Sequence, residues 1–209
     1  MPDSIGPGWW ATHRLSGEYQ QYVAHEAEAT RVVAYMPSLM PGLLQTRRYA
    51  LAATATLLGR PEDDADVVAR VQVRDQRQRT VADRLADGRP IRIVAVLDDA
   101  VLRRPFGGPE VMREQLDHLA ETAEREHVSL VIMPTAEGGH AGLDGKFELA
   151  EFDGAEPVVF LEAAVHDYLE RDPRVTGRYR EIADELVARG VGGAEAIALV
   201  RRARDEIGR

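Results

Sequence analysis

Two apolar runs, "IRIVAVL" over residues 91–97 and "VSLVIMP" over 128–134, constrain the fold of this chain more than any other feature. Each is short, rich in β-branched residues and followed by a change of composition, which is the pattern of a buried strand. Between them, Pro109 to Glu126 is amphipathic through Met112, Leu116, Leu119 and Ala123, one face of a helix. Strand, helix and strand of these lengths predict a right-handed crossover and a parallel pair.

The flanks add helices and a hairpin. Residues 1–15, with Trp9 and Trp10, form an expected arm, and 16–209 a single domain. From Ser16 a helix is expected to about Ala34, on a stripe of Tyr19, Tyr22/Val23, Glu26, Thr30 and Val33. Glu26 falls on that apolar stripe, where a carboxylate needs a partner. A second helix is expected from Pro41 to Gly59, and a third from the acidic turn Pro61–Asp64 to about Leu85. "KFELAEF" and "PVVFLEAAV" are strands separated by the hairpin signal Asp153-Gly154. Helices over about 174–189 and 194–207 close the chain. The expected class is α+β: a helical N-terminal half, a mixed sheet of about four strands with one right-handed βαβ crossover, and two C-terminal helices.

Composition removes whole classes of chemistry. Without cysteine there is no disulfide, thiol nucleophile, iron–sulfur cluster or cysteine-ligated zinc. Lys146 is the only lysine, so a Schiff base or P-loop would rest on it alone, and no serine lies in a nucleophile elbow. The histidines lack zinc-ligand spacing and the glycine-rich stretch 138–145 has no nucleotide-binding pattern, so no metal and no cofactor are expected. A net charge of −9 disfavours nucleic acid. No signal peptide opens the sequence and no apolar run approaches the ~18 residues of a membrane span, so a cytoplasmic location without membrane association is expected.

Candidate functional residues concentrate on the third helix. Arg70, Arg74 and Arg77 recur at i, i+4 and i+7 beside its apolar stripe, with Gln78 next to them. Ion pairing with buried carboxylates such as Glu26 is the plainer meaning of such a row; an anion-binding wall is the second and a solvated face the third. Glu162 ends a strand, where it faces either a crevice or an arginine. His140 lies in a glycine-rich loop, either as a ligand contact or as a surface histidine. Gln45 closes "YMPSLMPGLLQT" (35–46), an apolar elbow that also serves as a pocket wall in this reading.

These residues form a run that resembles a known family. Glu26 and Ala29, Tyr35 and Pro37, Pro41 to Thr46 and Tyr49-Ala50 match the opening of the C-terminal, antitoxin-like domain of actinobacterial Xre-type helix-turn-helix regulators. Arg70, Arg74, Arg77 and Gln78, then Asp99 to Arg104, Val111 to Leu116, His140 to Phe147 and Phe160 with Glu162 follow in the same order. Departures are His25, Leu51 within 50–52, and Phe160. Family regulators carry the DNA-reading module ahead of this domain; Met1 stands about where the linker to it belongs, so no direct nucleic-acid binding by this chain is expected.

The resemblance implies a domain that senses a small, anionic molecule and forms a homodimer, with Gln45, Arg70, Arg74, Arg77, Gln78 and His140 as ligand contacts. A second expectation is an acid/base cyclase, isomerase or dehydratase of specialised metabolism using Glu26, Glu162 or His140. A third is an antitoxin-like protein-binding module.

Overall fold

The computed structural model describes residues 15–163 and 166–208. The expected arm, with Trp9 and Trp10, lies outside the described residues except for Leu15.

Ser16 accepts a hydrogen bond from the Tyr19 amide and starts α1, Gly17–Glu28. The helix does not continue to Ala34 as its stripe suggested. At Ala29 the backbone becomes extended, and Arg31–Met36 forms β1, all but the first residue buried. A surface helix buries one stripe, whereas "VVAYM" is apolar at every position, which only a strand covered on both faces accommodates. Thr30 and Val33 matched the helical period by coincidence. Arg84 donates to the carbonyls of Ala27 and Ala29, satisfying the end of α1.

After a 3-10 turn at Gly42–Leu44, α2 (Arg47–Leu58) begins at Thr46, later than Pro41, and ends at Gly59 with φ 62°. α3 (Ala65–Ala86) is capped by Asp64. β2 (Arg92–Asp98), α4 (Gly108–Ala123) and β3 (Val128–Met133) make the expected parallel crossover. β4 (Phe147–Phe152) and β5 (Ala155–Leu161) make the hairpin across Asp153-Gly154. β6 (Tyr168–Glu170), α5 (Pro173–Arg189), β7 (Val191–Gly192) and α6 (Gly193–Glu206) complete the described residues.

About four strands was an undercount: the described residues form seven, ordered β6-β5-β4-β1-β2-β3-β7 in one mixed sheet. The α+β class stands. β1, β2 and β3 are parallel, and β1 also pairs antiparallel with β4. β6 and β7, of three and two residues, are too short to carry a periodicity.

Alternation along the strands divides the core. Val32, Ala34, Ile93, Ala95, Leu97, Leu130 and Ile132 join a cluster with α2, α4 and α6. Val33, Tyr35, Val94, Val96, Phe147 and Leu149 face the other way, onto Ala183 and Leu186 of α5. Gly190 ends α5 against β3; a Cβ there would lie 2.3 Å from the Val131 side chain, so only glycine allows this approach. Among the described residues no helix is long and apolar enough to cross a membrane.

Candidate functional site

The face that carries α1 and α3 also holds the charged groups singled out in the sequence. β4 directs Phe147 and Leu149 toward α5, so Lys146 and Glu148 emerge on the opposite side by alternation. β5 directs Phe160 to that same side, and Glu162 follows it there. The pairing of Glu148 with Phe160 sets Lys146 opposite Glu162, and Lys146 Nζ donates to the Glu162 carboxylate at 2.6 Å. α3 lays Arg70, Arg74 and Arg77 over this surface.

Arg77 is committed to structure. Its Nε and Nη2 make a two-pronged contact with the Glu26 carboxylate at 2.7 and 2.5 Å, and Nη2 reaches Glu148 at 3.0 Å. Nη1 donates to the Tyr19 hydroxyl at 2.9 Å. The guanidinium also lies 5.7 and 5.6 Å from the ring centres of Tyr19 and Tyr22, close enough for cation–π attraction. Glu26 thus has the partner its position on an apolar stripe demands. The Tyr22 hydroxyl donates to Glu148 at 2.5 Å. One guanidinium faces two carboxylates, so burial, with the charge of Glu26, pushes the Glu148 carboxyl above its usual range despite Arg77. The gap beside Glu26 and Arg77, closed by Val23, Ala27 and Ile91, is too small for a water molecule.

Arg74 is in a different state. It is largely shielded, and its one side-chain hydrogen bond among the described residues goes from Nη1 to the Thr54 hydroxyl, at 2.6 Å. No described carboxylate comes within 4.0 Å of it. Burial, reinforced by the positive charges of Arg77 and Arg70, lowers its pKa. Glu162 is close enough to respond: burial raises its carboxyl, but Lys146, then Arg74 and Arg70, hold it below the usual range. Arg70 itself is exposed. Four cationic side chains therefore gather around three carboxylates; Arg70 has water for its donors, and Arg74 is the shielded cation whose donors are largely unspent.

The elbow is fixed by amides rather than by apolar packing alone. Gln45 is 3% exposed and donates to the Met40 carbonyl at 2.7 Å. Gln78 donates to the carbonyls of Gly42 and Gln45 at 3.0 and 2.9 Å. Gln115, fully buried on α4, accepts from the Thr46 amide at 2.7 Å and donates to the Leu44 carbonyl at 2.8 Å. A buried turn must satisfy its backbone groups, and these side chains do so. Gly42 adds clearance: a Cβ there would meet Arg77 Nη1 at 3.2 Å and Arg74 Nε at 3.7 Å.

His140 is not brought to the arginines. Its ring packs edge-on against Tyr35, with centres 5.8 Å apart, on the α5 side of the sheet. Burial and the charge of Asp98 push the Tyr35 phenol up to about 12. The elbow, expected as a pocket wall, and His140, expected as a ligand contact, therefore lie on opposite sides of the sheet. Tyr19, Thr54, Gln115 and Glu148 were not legible as site residues; the signal that could have found Glu148 is strand alternation beside a lone lysine.

The sequence model of one protein family, described as "Domain of unknown function (DUF5753)", matches residues 19–202, most of the chain. No curated protein and no solved structure matches it.

Proposed function

The chain belongs to that family, and from this premise we propose that it is a regulatory domain which binds a small anionic molecule at Arg74. The observation that supports this is the contrast between two arginines one helical turn apart. Arg77 has its charge and hydrogen bonds met by Glu26, Glu148 and Tyr19, while Arg74 has a single neutral hydroxyl. Holding a shielded cation without a carboxylate costs free energy that a ligand anion returns on binding. Lys146, Glu162 and Arg70 flank the position, so the ligand's anionic group meets a net positive surface.

The same helix supplies a route for a signal. Gln78, four residues beyond Arg74, holds the elbow through two carbonyls, so an anion that shifts α3 also loads the turn between β1 and α2. The motif run from Glu26 to Glu162 resembles the effector domain of actinobacterial Xre-type regulators, which supports a sensing and dimerising role over an acid/base one. The enclosure of Glu26 and Glu148 points the same way.

The test is a thermal-shift panel of phosphorylated and dicarboxylic metabolites, with inorganic phosphate, on the wild type and Arg74→Gln. At least one anion raises the wild-type midpoint in a saturable way, and Arg74→Gln folds but loses the response. A panel without effect on the wild type, or an equal response in Arg74→Gln, refutes the proposal. Sedimentation with and without the active anion tests dimerisation.

A further inference from the structure

A second cavity lies between α3 and α4, over the first residues of β2 and β3; none of Arg70, Arg74 and Arg77 lines it, although Gln78 and Leu44 at the elbow do. It encloses about 180 Å³. One wall is apolar: Leu43, Val81, Leu85 and Ile93. The other is a row along α4 and just past its end, where His118, Thr122 and Arg125 follow at i, i+4 and i+7.

Thr122 is the informative residue. A helical threonine usually hydrogen-bonds its hydroxyl to the carbonyl one turn back; Thr56 and Thr80 do so here, to Ala52 and Gln76. Thr122 is 6% exposed, yet its hydroxyl has no partner among the described residues. A buried polar atom of this kind is costly unless something meets it. Arg125 supplies a cation at the same wall and enters no ion pair among the described residues. Burial and the charge of Arg125 lower the pKa of His118, which disfavours a second positive charge on this wall.

The size sets the ligand. A dry cavity of about 150 Å³ admits a benzene ring. We propose that this cavity binds a small monocarboxylic acid with an aromatic or branched apolar body. The body packs between Val81, Leu85 and Ile93; the carboxylate pairs with Arg125 and accepts from the Thr122 hydroxyl, which turns toward it about χ1 from a position sealed from solvent. This ligand site is distinct from the one at Arg74, with Gln78 lying between the two.

Benzoate is the probe, titrated into the intact chain and followed by amide and methyl NMR. Saturable shifts are expected at Val81, Thr122 and His118. Benzamide, which keeps the ring and loses the charge, is expected to bind about tenfold more weakly, since a charge-assisted hydrogen bond is roughly twice as strong as a neutral one. Thr122→Val is expected to weaken benzoate about fivefold. Ala82→Trp, at the exposed rim, blocks the mouth and abolishes binding while leaving the melting curve in place. No saturable shift at millimolar benzoate overturns the proposal. So do shifts centred on Thr54 and Arg74, or equal affinity for benzamide, which needs no variant to measure.

Discussion

Replacing Arg77 with methionine keeps a long apolar stem against Tyr19 and Tyr22 and removes only the guanidinium. Glu26, 2% exposed, and Glu148, 8% exposed, are then left facing each other with Tyr22 and Tyr19 as neutral neighbours. Breaking one partner from a buried ionic cluster costs about 3–5 kcal/mol. At about 2–4 °C per kcal/mol for a domain of this size, the melting midpoint falls by roughly 6–20 °C.

The loss carries a pH signature with a fixed sign. Removal of Arg77 takes away the larger of the two influences that oppose burial at Glu148, leaving only the Tyr22 hydrogen bond, so the folded-state pKa rises further above the unfolded value of about 4.3. A carboxyl raised on folding stabilises below its unfolded pKa, and that stability is lost as pH rises through the folded pKa. The unfolded state is common to both proteins, so the gap between wild type and Arg77→Met widens as pH rises through the wild-type folded-state pKa of Glu148, which lies above the ordinary carboxylate value. Urea denaturation followed by circular dichroism at pH 5 and pH 8 measures it. Adding Glu26→Gln and Glu148→Gln to Arg77→Met removes both uncompensated charges and is expected to recover much of the loss. A single variant within 1 kcal/mol of wild type, or a gap that narrows with rising pH, refutes the electrostatic account of the cluster.

Gln115→Leu fills the same space but strands the Thr46 amide and the Leu44 carbonyl; at about 1–3 kcal/mol for each buried group, the urea midpoint drops clearly, whereas Gln115→Glu retains an acceptor for Thr46. The His118 imidazole, lowered by burial and Arg125, is expected to titrate below about 6.5 by NMR. A base depressed on folding contributes no penalty above its unfolded pKa, so its effect is a loss of stability as pH falls below that value; Arg125→Gln moves its titration upward.

The sequence disclosed elements wherever one physical cause acted alone. β2, α4 and β3 have clear periods and lengths, α2 ends at a glycine in the left-handed region, and the β4–β5 hairpin turns at Asp153-Gly154. β1 was hidden because Thr30 and Val33 extend the helical stripe of α1, and only the unbroken apolar run to Met36 argues for a strand. In the site, the need of Glu26 for a cation was visible from its stripe. Which arginine would answer was not, since Arg70, Arg74 and Arg77 share one flank and only the position of β4 separates them. Gln115 sits on an apolar stripe with no local sign that its partners lie at Leu44 and Thr46. His140 fell on the far side because alternation turns Tyr35 toward α5, and a strand that is not recognised has no faces to assign.

The placement of β1 bears on how the chain assembles. Val33 is paired on one side with Val94 and on the other with Leu149, so the middle of the sheet closes only when distant parts of the chain meet. Pairings so remote in sequence make folding slow relative to local helix formation. During synthesis one edge of the segment from Arg31 to Met36 stays unpaired until β4 has been made, and the face carrying Val33 and Tyr35 stays uncovered until α5 follows. In that interval α1 to α3 can form their turns but not the Glu26–Arg77–Glu148 cluster, whose last member arrives with β4. Refolding by rapid dilution should therefore show helix signal well before the Tyr22 ring reaches its buried environment.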